Sequence, residues 1–232
     1  MKTILIIGMG EFGMHLAKKL LKLKNEVCIV DQDKEVINLL SDEFTNAYIG
    51  DCMKDATLED LGVENFDICI VAIGENFQAS LEITSRLKDH GAKYILSKAS
   101  SEIQAKFLKL AGADETIYPE KDMAEKVALK CNMTNMVDFI QISEEYSIFE
   151  MKVTDEWISK SIKELNIRNK YNINIIAIRN NRKITIPNPS YVFQAEDIVF
   201  FFASTNIVNK FKESSSIKKR TFPKRKTNLK NN

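Results

Sequence analysis

Short apolar runs alternate with longer amphipathic stretches through the first half of the chain. The runs cover residues 3–7, 26–30, 47–49, 68–73, 94–96 and 115–118. Each is brief and rich in β-branched residues, which argues strands. Between them, apolar residues recur at helical spacing, as in Phe12, Leu16, Leu20 and Leu23, which predicts helices with one buried face. Strands that alternate with helices build βαβ units, so the expected fold is α/β, a Rossmann-type doubly wound parallel sheet.

After Lys130 the rhythm changes. Residues 132–135 form a polar break, followed by strand-like runs at 137–142 and 146–153, a short helix near 161–165 and strands at 173–179, 183–186 and 198–202. Asn180 and Asn181 supply a turn, and Thr205 or Asn206 is placed to cap a last helix ending near Lys212. The expected organisation is an α/β domain over residues 1–133, a small α+β domain over 134–212 and a terminal arm over 213–232.

Composition refines this picture. With 232 residues, 44% hydrophobic and 28% charged, the chain reads as an ordinary globular protein. No apolar run approaches the roughly 20 residues that a membrane-spanning helix needs. The N-terminus enters a strand without a charged leader, so a cytosolic protein is expected. A formal net charge of +1 gives no global field for nucleic acid. The arm differs: Lys218, Lys219, Arg220, Lys224, Arg225, Lys226 and Lys230 stand there without an acidic residue, the composition of a disordered basic segment. Cys28, Cys52, Cys69 and Cys131 lack metal-binding spacing, and Cys28 and Cys69 fall in strand-like runs, which reads as buried thiols.

The candidate chemistry begins at Gly8-Met9-Gly10-Glu11-Phe12-Gly13, a G-x-G-x-x-G turn between the first strand and first helix. Gly8 permits the tight turn, Gly10 lets backbone approach a pyrophosphate, and Gly13 lets the helix pack closely. Ligand charge then rests on the helix N-terminus. Asp31 ends the second strand, about 20 residues on, where a carboxylate accepts hydrogen bonds from ribose hydroxyls. Gly50-Asp51 and Ile73-Gly74-Glu75-Asn76 follow the third and fourth strands, bordering adenine and phosphates; helix capping is the other reading of Asp51 and Asn76. Glu11 either repels a terminal phosphate unless a cation intervenes, or points to solvent.

Groups for catalysis are scarce. His15 lies in the first turns of helix one, a packing or surface position, and His90 ends a helix, where its charge suits the dipole. There is no nucleophile elbow, Walker A or H-E-x-x-H pattern, so the nucleotide reads as a signal more than a reactant. Pro119-Glu120-Lys121-Asp122 opens a helix; its acids either suit the dipole, or Glu120 joins a phosphate through a divalent cation at a dimer interface.

The motifs together resemble a known family. Gly8–Gly13, Val71-Ala72-Ile73-Gly74-Glu75-Asn76, Gly112-Ala113-Asp114 and Tyr118-Pro119-Glu120-Lys121-Asp122-Met123 carry the likeness. Glu144-Glu145-Tyr146-Ser147-Ile148, Leu165-Asn166-Ile167-Arg168 and Ile176-Ala177-Ile178 continue it. The chain is similar over residues 1–212 to the cytosolic regulatory subunits of Ktr and Trk potassium-uptake systems, built from RCK domains, and most to the KtrA type.

The resemblance implies a non-enzymatic gating subunit. Its partner is a membrane-embedded potassium-translocating subunit, and homodimers assemble into an octameric ring peripheral to the inner face of the plasma membrane. ATP or ADP, or NAD(H), would switch the ring between shapes. The implied nucleotide site comprises Gly8, Met9, Gly10, Glu11, Phe12, Gly13, Asp31, Gln32, Asp51, Cys52, Ile73, Gly74, Glu75, Asn76 and Lys98. Glu120 is the implied ligand of magnesium or calcium. In the second domain, cyclic di-AMP would meet Ile162, Arg168, Asn174, Ile175 and Pro189, the arginine offering a planar fork to a phosphodiester; capping of a short helix is the other reading of Arg168. Relatives often carry Arg where Glu11 stands, which puts ATP activation in question. The basic arm either touches anionic lipid or only solubilises. Two rival classes are a small NAD-dependent oxidoreductase and a redox-sensing DNA regulator; the second would need a DNA-binding helix pair, which residues 134–212 lack.

Overall fold

A computed structural model describes residues 1–132 and 135–207. The expected cap-and-helix to Lys212 is described only as a 3-10 turn, Thr205–Ile207, and the rest of that helix and the arm 213–232 lie outside the described residues. The chain divides into two compact units, Met1–Asp122 and Met123–Asn232.

In the first unit β1 (Thr3–Ile7) leads to α1 (Glu11–Lys22), β2 (Glu26–Asp31), α2 (Lys34–Leu40), β3 (Asn46–Ile49) and α3 (Asp55–Leu61). After a 3-10 turn come β4 (Ile68–Val71), α4 (Phe77–Asp89), β5 (Ile95–Lys98), α5 (Glu102–Leu110) and β6 (Glu115–Ile117). The strands form a parallel sheet in the order β3-β2-β1-β4-β5-β6. The doubly wound sheet expected from the alternation is therefore present.

The central strands β1, β2 and β4 read as nearly unbroken apolar runs because both faces are covered. Leu5, Ile7, Cys28, Val30, Cys69 and Val71 enter one core, while Ile4, Ile6, Val27, Ile29 and Ile70 enter the other. This is the period-two alternation of strand side chains. The fourth strand stops at Val71 rather than Ile73, although the Ala72 N–H still donates to Ile7 O at 2.8 Å. Strand order reverses between β1 and β4, the place where such sheets open a crevice.

The helix α6 (Pro119–Asn132) runs across the division of the chain. Beyond it lie β7 (Met136–Gln141), β8 (Tyr146–Lys152), α7 (Ile162–Leu165), α8 (Ile167–Tyr171), β9 (Asn174–Asn180), β10 (Lys183–Thr185) and β11 (Ile198–Ser204). Five strands form an antiparallel sheet in the order β10-β9-β11-β8-β7. Phe149, Phe201, Val199 and Ile178 on one face bury Trp157, Phe193 and Ile167. Ser161 and Glu164 form a reciprocal capping box on α7, as the serine start of that helix suggests. The following turn, α8, has no expectation behind it, because Ile167 and Tyr171 are too few apolar positions to set a period.

Asp197 anchors the segment between β10 and β11. It is fully buried and accepts from Asn180 Nδ2 at 2.7 Å, Tyr191 Oη at 3.0 Å and the Gln194 N–H at 2.8 Å. Burial first, then the Asp197 carboxylate, pushes the Tyr191 phenol up to about 12. The segment then pairs with the approach to α7: the Ile162 N–H donates to Tyr191 O and the Lys163 N–H to Pro189 O. Asp197→Ala strands three donors, and is expected to lower stability by about 3 kcal/mol in urea unfolding of the full chain.

Candidate functional site

A cavity of about 560 Å³ opens at the carboxyl ends of the parallel strands. Its lining draws on Ile7, Gly8, Gly10, Glu11 and Phe12 from the first turn, Asp31 and Gln32 after β2, and Gly50 to Met53 after β3. Ala72 to Asn76, Ala79 and Ile83 come from the β4–α4 connection and α4, joined by Lys98 and Glu120. Thirteen residues expected in the nucleotide site stand here together with Glu120: Gly8, Gly10, Glu11, Phe12, Asp31, Gln32, Asp51, Cys52, Ile73, Gly74, Glu75, Asn76 and Lys98. Met9 and Gly13 do not line it. Met9 is buried in the core, and Gly13 does its work behind the cavity wall.

The three glycines have separate tasks. Gly8 sits at φ +96°, a conformation that side chains rarely adopt. A Cβ on Gly13 would lie 2.0 Å from Gly8 O, so α1 approaches the turn as only glycine allows. A Cβ on Gly10 would meet nothing within 4 Å, so protein packing does not demand glycine there, and the space beside the turn is open. Gly10 is also the N-cap of α1 and offers no capping side chain, which leaves first-turn N–H groups available to an anion.

Asp31 braces this turn. Its Oδ2 accepts from the Met9 N–H at 2.6 Å and its Oδ1 from the Asp33 N–H at 2.9 Å. A carboxylate has about four lone-pair sites, so both oxygens keep capacity for ribose hydroxyls. Asn76 does cap α4, accepting from the Ala79 N–H at 3.0 Å. Asp51 accepts from the Met53 N–H at 3.0 Å in a turn, while Lys54 holds the α3 N-cap position. Capping and cavity lining thus coincide at Asn76.

Glu11 points outward. Its side chain is 88% exposed and lies 3.6 Å from His15 Nε2, itself 76% exposed. His90 is the C-cap of α4, 3.1 Å from Asp55 Oδ1. Neither histidine lines the cavity. Cys52 does, but burial, the largest cause, with Asp51 and Asp31 nearby pushes its thiol up to about 12. Cys28 is raised to about 11 and Cys69 to about 12 by the same burial, so the buried-thiol reading holds for these three.

Lys98 and Glu120 meet inside the cavity at 2.6 Å. This ion pair holds the Glu120 carboxyl below the usual carboxylate range. Sequence reasoning named both residues without placing them together; the missed signal is that each immediately follows or ends a strand of one parallel sheet. It also missed Ile7, Met53, Ala72, Ala79 and Ile83, which are apolar neighbours of the expected residues.

In the second unit Ile162 is half-buried against the core, beside the Lys163 N–H that donates to Pro189 O. Arg168 is exposed on α8; its backbone carbonyl, not its guanidinium, accepts at that helix end. Asn174 opens β9 exposed, and Ile175 is half-buried.

Comparison with known proteins bears on this geometry directly. The TrkA-N domain profile matches residues 4–119 and the TrkA-C domain profile residues 147–215. The chain is 35% identical over 213 residues to Ktr system potassium uptake protein C of Bacillus subtilis (strain 168), covering 91% of this chain and 96% of that protein. It is 36% identical over 211 residues to Ktr system potassium uptake protein A of the same organism, covering 90% and 95%. The chain belongs to the TrkA-N/TrkA-C family of Ktr potassium-uptake proteins. The resemblance read from the motifs is borne out. Solved structures agree on the fold of this Ktr-type subunit: the GsuK RCK domain has a TM-score of 0.64 at 17% identity, covering 91% of this chain and 47% of that one. The GsuK channel bound to NAD has 0.64 at 17%, covering 91% and 39%. GsuK bound to ADP has 0.50 at 16%, covering 57% and 35%.

Two outcomes are expected. In the native Ktr-type subunit at pH 8 a thiol reagent should modify Cys131, which is exposed, and spare buried Cys28, Cys52 and Cys69; Cys131→Ser should abolish the fast reaction. Gly13→Ala forces α1 away from the turn, with a loss of about 2–3 kcal/mol in chemical unfolding.

Proposed function

We propose that this chain is the nucleotide-sensing regulatory subunit of a potassium transporter, acting by binding rather than by catalysis. The observation that carries the reading is the glycine-turn cavity in a chain so similar to Ktr proteins over its length. ADP or ATP is the preferred ligand, with NAD(H) the alternative, since similar RCK structures hold NAD and ADP. Adenine lies toward Gln32 and Asp51–Met53, ribose on Asp31, and phosphates at Gly8–Phe12 and Gly74–Asn76. Phosphates meet the uncovered N-terminus of α1.

Catalysis is not supported by the cavity's chemistry. A hydride-transfer enzyme needs a proton donor beside its substrate, whereas both histidines stand outside and the Cys52 thiol stays protonated at neutral pH. Glu120 is the group suited to a magnesium or calcium ion shared with phosphate. Homodimers assembling into an octameric ring under a membrane-embedded translocating subunit would convert ligand binding into gating, provided the ligands bind two ring shapes unequally. Among the described residues no helix is long and apolar enough to cross a membrane, consistent with peripheral association. In the second unit the exposed Arg168, with Ile162, Asn174, Ile175 and Pro189, is proposed to receive cyclic di-AMP.

Gly10→Val tests the nucleotide site, because a Cβ there meets no protein atom within 4 Å and enters the space proposed for phosphate. ADP affinity measured by calorimetry is expected to fall about ten-fold or more, with the fold retained in circular dichroism. In vesicles carrying a Ktr-type membrane subunit, potassium flux should respond to ADP and ATP with the wild-type chain and lose that response with Gly10→Val. Steady oxidation of NADH by the purified chain with candidate substrates would contradict the reading.

A further inference from the structure

Lys98 is the basic side chain among the lining residues of the cavity, and a carboxylate of the protein already holds it. The Lys98 side chain is only 11% exposed, while that of Glu120 is 58% exposed. Lys98 ends β5, and Glu120 stands in the first turn of α6, the helix that leads on to the second unit. The ammonium also lies 5.8 Å from the centre of the Phe12 ring. Phe12 is in the first turn of α1, so the ammonium sits near the helix end that the glycine turn offers to phosphate.

Gly74 makes room for it. A Cβ on Gly74 would come 2.9 Å from Lys98 Nζ, and Gly74 is absent from the glycines with positive φ. The contact is with the far end of a flexible side chain, so a methyl group at residue 74 would displace the ammonium rather than strain the backbone.

An ammonium so withdrawn from water requires a nearby anion. Carboxylate and phosphate both satisfy it, and a polyphosphate carries the greater charge. We propose that Lys98 exchanges partners, from Glu120 to a ligand phosphate, so that the site reads the phosphate charge of a nucleotide by releasing Glu120 from its hold on β5. This rests on the nucleotide reading above and adds its regulation. Glu120 is then a competitor of the ligand until Lys98 lets it go; once released, its carboxylate is available to a divalent cation. Gly74 is a positioning residue, since a methyl group there takes the ammonium's place.

The test is calorimetric titration of the full chain, stripped of nucleotide and held in EDTA, with AMP, ADP and ATP. Removing metal separates competition by Glu120 from any part it plays as a cation ligand. Glu120→Gln is expected to tighten ADP and ATP binding about five-fold, as loss of a half-exposed competing ion pair implies. Lys98→Met is expected to weaken ADP about ten-fold and AMP by less, because charge-assisted contacts to phosphate are lost. Gly74→Ala should follow Lys98→Met, and the double variant should lose little more. Unchanged or weaker ADP binding in Glu120→Gln overturns the exchange, as does a Lys98→Met loss independent of phosphate number. A wild-type chain that binds none of the three nucleotides overturns the nucleotide site itself, and the exchange with it.

Discussion

The closest constraint in the molecule is the approach of α1 to the turn that precedes it. A single carbon added at residue 13 would sit 2.0 Å from the carbonyl oxygen of Gly8. That approach is possible only with a positive φ at Gly8 and no side chain at Gly13. It sets the helix end against the sheet at the reversal of strand order, and so aims the first-turn N–H groups into the cavity. Asp31 then ties the turn to the end of β2 through the Met9 N–H. The glycine turn, the Asp31 carboxylate and the carboxyl end of β2 are thus one mechanical unit.

The charge around that unit is largely negative. Glu11, Asp31, Asp51, Glu75 and Glu120 line the cavity with Lys98 as their counterpart. For a phosphate ligand such a site offers backbone dipoles and Lys98 rather than a field of basic side chains. Glu11 adds less repulsion than its place in the motif suggests, because it is turned to solvent beside His15. In a sensor this balance is useful: ligands that differ by one phosphate differ strongly in what they need from the site.

Much of this was legible in the sequence because it rests on local rules. Strands buried on both faces announce themselves as apolar runs, and β1 ends where its run ends. The glycine spacing, with Asp31 at its distance, predicts a turn, a helix end and a carboxylate that the fold brings together. What the sequence hid is long-range. Nothing near Lys98 signals that its ammonium lies against Gly74, or that Glu120 reaches it from α6, beyond the intervening α5 and β6. The same holds for Asp197, whose burial among Asn180, Tyr191 and Gln194 has no periodic pattern. Met9, an expected contact, has its side chain in the core with Ile4, Ile6 and Ala17, while Gly8 and Gly10 on either side of it line the cavity.

Hydrogen exchange of the full chain with and without ADP tests the central claim, that phosphate is received by the turn between β1 and α1. Slowed exchange of the amides at residues 10–14, with further protection at 31–33, 50–53 and 74–79, is the predicted result. Unchanged exchange at residues 10–14 in a sample where ADP is demonstrably bound, or protection confined to residues beyond 135, would contradict it.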